Sequence, residues 1–569
     1  MNWNIENKKS DFPEELEKKY GKIILELLSR RNIKTSKEIE DFFNFDYEKD
    51  ITDSLGIPEI AKAVERIEEA GKKGEKIAIF GDYDADGVTA SVILYETLTD
   101  LGFKNVISYI PDRQTEGYGM NEKALEFIKE QGVKLIITVD CGITNLAEVE
   151  KAKKLGMDVI ITDHHHVPNI LPKAVAIINP HIPELDFKFR DFAGVGVAYK
   201  LAQALYKKIN PKRIDQLKWA LDLVGIGTIA DCVPLLGENR VLTKYGLLVL
   251  SKTRRVGIKE MFQVGRINIS EDNVPDAWNV AFQISPRINA AGRMDHASTS
   301  YKLLIEKDRA VARTLALEVE SKNQERQKVT GEIVREIKIL ADNAFKDRKI
   351  IFAANEHWPV GILGLVAGKI ADEYKKPTII LQKQGEELTG SLRSIPEVDI
   401  MEVLEKCSEF LVKFGGHAQA AGITIKEKNA EKFFERFEKI VEEKIKDLDI
   451  STALEIDTEI TPADINWDFM NWLKKMEPFG EGNRQPVFVI KNMKIFDLKM
   501  CGNGDKHWKI SLGSASGSPK IFDSIGFGFG AKFPDLKQSD IIDVVCNLCE
   551  DNWNGSKKIQ LKLIDLKKV

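Results

Sequence analysis

The sequence has few cysteines, no apolar run long enough to span a membrane and no strong excess of charge of either sign. Its 569 residues include six cysteines, and 83 basic and 88 acidic side chains give a formal net charge of −5. So few cysteines in so long a chain exclude a disulfide framework. The near balance of charge gives no global sign of nucleic-acid binding, so such binding must come from local patches or metal ions. The first residues also lack the basic and apolar regions of a signal peptide, and we expect a cytoplasmic protein with no membrane partner.

Two motifs that would indicate other chemistry are incomplete. Cys546 and Cys549 form a single CxxC pair with no second pair at zinc spacing, which favours a position in a strand over a metal or redox site. The nearest imitation of a phosphate-binding P-loop, residues 246–253, lacks the second glycine and lies in a helical pattern. Nothing therefore supports ATP hydrolysis.

A chain of this length is too long for one core, and roughly three or four domains are expected. Strands and helices alternate after a short helical start, which predicts an α/β domain with a mostly parallel sheet. A long amphipathic helix, or a broken pair of helices, follows, and then a second lobe and a run of short strands typical of a small barrel. The predicted boundaries are 1–58 for the helical module, 59–265 for the α/β domain, 266–342 for the helical connector, 343–448 for the second lobe and 449–569 for the barrel.

Three carboxylates stand at alternate positions after a buried strand: Asp82, Asp84 and Asp86 follow the apolar residues 77–80. Packing three acids so closely costs repulsion unless a cation neutralises them. A calcium-binding EF-hand is excluded because Ile93 stands where the loop needs a bidentate Glu, and a strand-like run precedes the motif. The remaining alternative is an exposed acidic turn that caps the following helix.

Two further strand-like runs also end in acids. Residues 135–139 lead to Asp140, and residues 159–162 lead to Asp163, His164, His165 and His166. The carboxyl ends of parallel strands lie along one edge of a sheet, so these side chains are expected to meet. Asp231 is a fourth candidate, because an unpaired carboxylate in its apolar, glycine-punctuated segment would be costly.

The later segments carry weaker signals. Glycines stand beside Ser391, Arg393 and His417, a combination suited to phosphate recognition, although a Gly-Gly pair alone is usually a turn. The polar residues 323–327 of the connector could be ordinary solvated surface. In the barrel, Phe479 and Trp508 lie near lysines and could stack on bases, but core packing is favoured for any one of them.

The acids and histidines resemble, in order, the four motifs of the DHH phosphoesterases: Asp84-x-Asp86, Asp140, Asp163-His164-His165 and Asp231. Further matching stretches narrow the resemblance to the single-strand-specific exonucleases of that family; they are residues 110–113, 116–119, 179–181, 193–198, 227–235 and 287–293. The implied fold is a two-lobed DHH core joined by a long helix to a smaller DHH-associated α/β domain, with a C-terminal OB-fold barrel.

The resemblance implies two divalent metal ions, with manganese preferred and magnesium possible. Asp140 is expected to bridge them, with Asp84 and His164 on one ion, Asp86 and Asp231 on the other, and Asp82 close by. His165 is expected to act on the scissile phosphate together with Asp140 and His164, and His166 to be a bystander.

The resemblance also implies the substrate and its contacts. Arg113, Ser391 and Arg393 are expected to hold a 5′-phosphate; His417, Arg287, Arg293 and Gln327 are expected to contact DNA. The implied activity is 5′→3′ exonucleolytic hydrolysis of single-stranded DNA to mononucleotides in repair and recombination. A monomer is expected, with a single-strand-binding protein and a helicase as partners.

Three departures from the family pattern stand at Phe80, Pro359 and Leu392, where relatives commonly carry a ligand His, a His and a Gly. Two rival functions share many of these motifs. One is a DHH enzyme that cleaves cyclic dinucleotides or very short oligonucleotides, which chain length argues against. The other is a catalytically silent DNA-binding scaffold, which the intact acids and His164 argue against.

Overall fold

The structure is a computed structural model that describes residues 2–5, 12–113, 115–185, 187–446, 448, 453–502, 504–515, 520–551 and 557–569. The chain divides into two compact units, one of residues 51–233 and 242–450, the other of residues 1–50, 234–241 and 451–569. Among the described residues, no helix combines the length and the apolar character needed to cross a lipid bilayer.

The first part of the larger unit is a parallel α/β domain. Its elements are α5 (Pro58–Lys73), β2 (Lys76–Gly81), α6 (Ala85–Asp100), β3 (Val106–Tyr109), α7 (Glu122–Glu130), β4 (Val133–Val139), α8 (Leu146–Lys154), β5 (Asp158–Thr162), β6 (Ala176–Ile178), α9 (Gly194–Ile209) and α10 (Leu221–Ala230). The sheet order is β3-β2-β4-β5-β6, and every pairing is parallel. The central strands are buried on both faces, as parallel strands covered by helices must be, which explains their continuous apolar runs. The predicted parallel sheet is confirmed.

Helices connect this domain to the second lobe. They are α11 (Gly237–Ser251), α12 (Val256–Val264), α13 (Ala277–Asn279), a π-helical turn (Val280–Ile284), α14 (Ser285–Met294), α15 (Ser298–Ile305) and α16 (Arg309–Asn343). The predicted amphipathic segment is therefore a broken pair, α15 and α16. Asp308 ends the break by capping α16, because its side chain accepts hydrogen bonds from the Ala310 and Val311 N–H groups.

The second lobe contains a mixed five-stranded sheet. Its elements are β7 (Ile351–Asn355), α17 (Val360–Tyr374), β8 (Thr378–Gln384), β9 (Glu387–Arg393), α18 (Ile400–Glu405), β10 (Leu411–His417), β11 (Ala420–Lys426) and α19 (Ala430–Ile445). The sheet order is β10-β11-β9-β8-β7. Helix α17 contributes Ile362, Leu363, Val366 and Ile370 to a core it shares with α16 and β7.

The smaller unit is a closed β-barrel with helices packed on it. Its elements are β1 (Asn2–Ile5), α1 (Glu14–Tyr20), α2 (Lys22–Arg30), α3 (Ser36–Phe43), α4 (Tyr47–Asp50), β12 (Ala453–Ile456), β13 (Thr458–Glu459), α20 (Trp467–Met476), β14 (Phe488–Cys501), β15 (His507–Ser514), β16 (Ile521–Gly526), α21 (Phe529–Lys532), β17 (Ile541–Asp551) and β18 (Lys558–Lys568). Pairing of β14 with β17 closes the order β14-β15-β16-β18-β17 into a five-stranded barrel, which confirms the predicted OB-type fold.

In this unit, Trp508 and the Cys546–Cys549 pair occupy structural positions, as the sequence favoured. Trp508 is 7% exposed and donates its ring N–H to the Phe533 carbonyl at 3.1 Å, so it belongs to the core. Cys546 and Cys549 lie in β17, and neither forms a disulfide.

Candidate active site

The predicted acids meet at the carboxyl edge of the parallel sheet. Strands β2, β4 and β5 are neighbours, and they end immediately before Asp82, Asp140 and Asp163. Asp140 has a positive φ of 59°, a conformation that Asp and Asn adopt more readily than most residues. Its N–H donates to the Thr162 carbonyl of the adjacent strand at 3.0 Å, which fixes this turn beside the end of β5.

Two helix N-termini hold the acids of the first motif. Asp84 caps α6 by accepting hydrogen bonds from the Asp86 and Gly87 N–H groups at 2.9 and 3.1 Å. Asp86 accepts from the Gly194 and Val195 N–H groups of α9 at 2.6 and 2.9 Å. Gly194 has no room for a side chain, because an added Cβ would lie 2.6 Å from the Asp140 Cβ.

The candidate ligands fall into three overlapping groups, each with oxygen or nitrogen atoms within 4.8 Å of one another. One contains Asp82, Asp84 and Asp140, the second contains Asp86, His164 and Asp231, and the third contains Asp140, His164 and His165. His164 Nε2 lies 3.1 Å from Asp140 Oδ1, 3.5 Å from Asp231 Oδ2 and 3.9 Å from Asp86 Oδ2. This differs from the grouping expected from the resemblance, in which His164 and Asp84 shared an ion. His164 lies with Asp86 and Asp231 because Asp86 in the first turn of α6 is held by the N-terminus of α9, and Asp231 follows α10, a tertiary arrangement that motif order does not contain.

Unsatisfied buried atoms test whether this cluster suits cations. Asp82 Oδ1, Asp140 Oδ1 and His164 Nε2 are buried, and no residue in the described part of the chain hydrogen-bonds to them. Buried polar atoms without partners are costly, and carboxylate oxygens with an imidazole nitrogen suit divalent ions such as manganese. The residues present therefore fit a divalent metal centre.

The electrostatics of the cluster lead to the same conclusion. Burial and the Asp84 carboxylate raise the pKa of Asp86 to about 7, and burial with Asp86 raises the pKa of Asp231 to about 9. Burial and neighbouring acids likewise raise the pKa values of Asp82 and Asp140. Burial and His165 lower the pKa of His164 to about 3, which keeps its ring neutral, as a metal ligand must be. A bound cation would offset the repulsion between these carboxylates.

His165 is held differently from His164. Burial would lower its pKa, but the hydrogen bond and charge of Asp163 outweigh burial and raise it to about 9. The Tyr118 hydroxyl lies 3.1 Å from His165 Nδ1 and 3.2 Å from the Asp140 carbonyl oxygen. A pKa of about 9 favours the protonated ring at neutral pH. His166, in contrast, is exposed.

A group of arginines lies beside the acids, where the second lobe meets the first. Arg393 and Ser391 on β9 both face Gly364 of α17, at 2.9 and 3.4 Å from the position of an added Cβ. Arg293 on α14 donates to the Gly361 carbonyl oxygen at 3.1 Å. Arg113 lies over the Tyr83 ring at 4.8 Å. Burial and the charges of Arg113 and Arg326 lower the pKa of Arg293 to about 10, which reflects how closely the cations gather.

The other predicted substrate residues occupy distinct positions. His417 ends β10 and pairs with Ala420, which pairs with Arg393, so His417 lies two strands from Arg393 at the same end of the sheet. Arg287 is half-buried and forms an ion pair with Glu320 at 2.6 Å. Gln327 is exposed on α16. All seven proposed substrate contacts therefore lie in the larger unit. After burial, the charge of Arg113 lowers the pKa values of both Arg293 and Arg393, so these three cations lie close together. Arg287 is instead paired with Glu320, and Gln327 is exposed.

Sequence reasoning missed three residues of the site. Asn289 accepts a hydrogen bond from the Ala85 N–H at 2.7 Å and so fixes the start of α6. Tyr118 orients His165. Arg326 donates to Asn323 at 2.9 Å, and no described residue hydrogen-bonds to its buried Nε atom. Tyr118 and Asn289 lie within the stretches 116–119 and 287–293 that match the family, so the sequence contained a signal for both. For α16, only the rotation of the helix about its axis decides that Arg326 faces inward and Gln327 faces solvent.

Family comparisons first define the class. Residues 76–228 match the DHH family N-terminal domain, residues 347–443 the DHHA1 domain and residues 456–565 the RecJ OB domain. The protein is thus a DHH-type phosphoesterase with a DHHA1 domain and an OB barrel.

Relatives then give the particular family. The chain is 36% identical over 569 residues to the single-stranded-DNA-specific exonuclease RecJ of Bacillus subtilis, covering 99% of this chain and 70% of that one. It is 32% identical to RecJ of Haemophilus influenzae, covering 95% of each chain. The crystal structure of RecJ with Mn²⁺ from Thermus thermophilus matches with a TM-score of 0.81 at 27% identity, covering 100% of this chain and 80% of that one. A Mg²⁺ complex of RecJ from the same organism matches with a TM-score of 0.76 at 25% identity, covering 100% of this chain and 78% of that one. The chain belongs to the RecJ family.

Proposed function

We propose that this chain is a metal-dependent exonuclease that hydrolyses single-stranded DNA from a 5′-phosphorylated end and releases mononucleotides in the 5′→3′ direction. The observation that carries the proposal is the set of unpartnered buried ligand atoms, Asp82 Oδ1, Asp140 Oδ1 and His164 Nε2, beside a group of arginines. Membership of the RecJ family, whose named relatives are single-stranded-DNA-specific exonucleases, supports the substrate.

Two divalent ions, manganese preferred and magnesium possible, would supply a nucleophilic water and offset charge on the phosphate. Asp82, Asp84 and Asp140 would hold one of them, and Asp86, His164 and Asp231 the other, with Asp140 close enough to His164 to serve both. Neutral His164 is suited to this role, whereas protonated His165 is suited to a hydrogen bond with a phosphate oxygen or a proton transfer to the leaving oxygen.

The arginines define which end of the strand enters. Guanidinium groups bind a terminal phosphate through two parallel hydrogen bonds, and Arg113 and Arg393 would do so with the Ser391 hydroxyl. Arg293 donates a hydrogen bond to the Gly361 carbonyl oxygen of the second lobe. This contact joins the lobe that carries Arg393 to the lobe that carries the metal ligands. A strand held by its 5′-phosphate would then place its first internucleotide bond near the acids, which gives the proposed polarity and product.

The barrel would also contact the strand, although by other aromatics than Trp508. Phe527 is 57% exposed, packs edge-to-face with His507 at 5.2 Å, and has the Lys562 ammonium 5.9 Å from its ring centre. An exposed ring beside cations is the arrangement that proteins use for single strands. A role in repair and recombination, a cytoplasmic location, action as a monomer and association with a single-strand-binding protein and a helicase complete the proposal on the basis of the family.

The test is a digest of end-labelled single strands with Mn²⁺, comparing 5′-phosphorylated and 5′-hydroxyl ends, beside duplex DNA and a dinucleotide. The expected result is stepwise loss of mononucleotides from the 5′-phosphorylated single strand, abolished by EDTA and by Asp140→Asn. Degradation that begins at the 3′ end, or that cuts internally, would contradict the proposal.

A further inference from the structure

An exposed aromatic pair lies on the helical segment that leads into the site. Trp278 is 52% exposed and Phe282 is 64% exposed, and their ring centres are 5.4 Å apart. Val274, also exposed, precedes them in the chain. Two large neighbouring rings with most of their surface in water are unusual for side chains that only pack, and such patches mark binding surfaces.

The same helical segment connects this pair to the metal ligands. It runs through α13, the π-helical turn and α14, and its far end carries Asn289, which fixes the start of α6, and Arg293, which contacts the second lobe. Trp278 and Phe282 are its exposed positions, and Pro286, Asn289 and Arg293, which follow them at helical spacing, are partly buried, with buried Ile284, Ile288 and Ala291 between them. A rise of about 1.5 Å per residue puts the ring pair roughly 10–16 Å along the axis from Asn289.

Cations accompany this path. Arg287, one turn beyond the rings, donates to the Gln283 carbonyl oxygen at 2.6 Å and forms its ion pair with Glu320 at 2.6 Å. After burial, the charge of Arg287 lowers the pKa of Arg326, and Arg326 in turn helps to lower the pKa of Arg293. The arginines therefore form a series from the ring pair to the phosphate-binding group, with aromatic faces at one end and the metal ligands near the other.

We infer that Trp278 and Phe282 form a base-stacking platform for the single strand downstream of the bond being cleaved. This inference rests on the proposed function, because it takes the 5′-phosphate to lie near Arg393. At about 3.4 Å per stacked nucleotide, the separation from Asn289, beside the metal ligands, corresponds to about three to five nucleotides. Aromatic faces accept any base, so the platform would hold the strand without sequence preference. A strand fits this surface better than a protein partner because it continues the series of arginines into the site.

The test measures binding and hydrolysis of 5′-phosphorylated single strands of about twelve nucleotides by the full-length protein with Mn²⁺. Binding uses strands with a hydrolysis-resistant first linkage and a 3′ fluorophore. Stacking is worth about 1–3 kcal/mol per base, so Trp278→Ala and Phe282→Ala should each weaken binding about five- to 150-fold and raise KM correspondingly, with a smaller effect on kcat. Trp278→Phe should retain most of the affinity, whereas Trp278→Leu should behave like the Ala variant.

Ile339→Ala is the matched control, because Ile339 is 64% exposed near the end of α16 and is not on this path. It should bind strands as the unchanged protein does. A second measurement changes the strand instead of the protein. Abasic sites at the third to fifth nucleotides should weaken binding by the unchanged protein, and they should remove most of the difference between it and Trp278→Ala.

The outcomes separate the platform from the proposed function. If the unchanged protein digests strands as proposed but the ring variants and abasic strands bind normally, the platform is wrong and the function stands. A ring pair that serves only as a protein contact would give that result. If the unchanged protein neither binds nor digests single strands, both fail together.

Discussion

The Nδ1 atom of His165 lies 2.7 Å from the Oδ1 atom of Asp163, and, despite burial, the hydrogen bond and charge of this carboxylate raise the pKa of the imidazole to about 9. Asp163 is itself fixed, because its two oxygens accept hydrogen bonds from the backbone N–H groups of Ile143, His164 and His165. The carboxylate therefore positions the ring without being available to a metal ion.

Asp163→Asn should shift the pH dependence of the reaction. The Asp163 hydrogen bond raises the pKa of His165 to about 9, so a reaction that needs the protonated ring fades as the pH rises through that value. Without the carboxylate the pKa should fall toward its ordinary value, and the alkaline limb of kcat/KM should move to lower pH. Rates measured from pH 6 to 10 check this, with His166→Asn as the control because His166 is exposed. An unmoved alkaline limb would mean that another group sets it.

Asp140→Asn should abolish hydrolysis but stabilise the metal-free fold. Burial and neighbouring acids raise the pKa of Asp140, so its ionised form costs folding free energy at neutral pH. That cost is absent below about pH 4, where the carboxyl is protonated even in the unfolded chain, and grows as the pH rises. Thermal melts in EDTA should therefore show a gain for Asp140→Asn at pH 7.5 that disappears in acid.

Asp140→Ala separates backbone strain from charge. Asn accepts the positive φ of this position, whereas Ala pays about 1 kcal/mol for it. The Ala variant should therefore melt below the Asn variant in EDTA at every pH. Equal melting temperatures would show that the left-handed conformation relaxes when the carboxylate is removed.

Gly194→Ala should weaken metal binding without a change in any ligand. The new Cβ would lie 2.6 Å from the Asp140 Cβ and 2.7 Å from its Oδ1, so Asp140 must move. Titration with Mn²⁺, followed by calorimetry or by the rise in melting temperature, should show lower affinity. Gly331→Ala on α16 is the control, because nothing lies within 4 Å of its added Cβ. It should bind metal normally and gain about 0.5–1 kcal/mol of stability from helix propensity.

Arg393→Ala should reduce the preference for a 5′-phosphate over a 5′-hydroxyl by about tenfold or more, since charge-assisted hydrogen bonds contribute about 1.5–3 kcal/mol. Its Nη1 atom donates to the Leu392 carbonyl oxygen, so folding should change little. Competition between the two end types in one digest measures the preference directly. Arg348→Ala, which removes an ion pair with Glu438 in the same lobe, is the control and should keep the preference.

Phe527→Ala and Trp508→Ala should have opposite effects in the barrel. The exposed Phe527 ring can be removed at little cost to folding, and the variant should bind long single strands more weakly. Trp508 is a core residue, so its truncation should cost about 3–5 kcal/mol of stability. Chemical denaturation and strand binding, measured on both variants, distinguish the two roles. Loss of strand binding by a fully folded Trp508→Ala protein would contradict this division.

The sequence predicts the sheet edge well because the information is local. Apolar runs followed by acids mark strand ends, and parallel strands bring those ends together whatever the rest of the chain does. Asp82, Asp140 and Asp163 accordingly follow the carboxyl ends of three neighbouring strands, β2, β4 and β5.

The remaining features depend on packing that no local pattern contains. The grouping of the ligands follows from how α6, α9 and α10 pack, which brings Asp86 and Asp231 to His164. The inward direction of Arg326 rather than Gln327 depends on the rotation of α16 about its axis. Trp508 and Phe527 are both aromatic residues of a barrel, and only its closure decides which ring faces water.

The contact between Gly361 and Arg293 has a geometric consequence. A side chain at Gly361 would overlap the Arg293 carbonyl oxygen, so the main chains of the two lobes meet there without intervening side chains. For the proposed exonuclease, this contact between two main chains would set the distance from the terminal phosphate to the bond that is cleaved at one nucleotide. A larger separation of the two lobes should therefore change the length of the released product before it changes the rate.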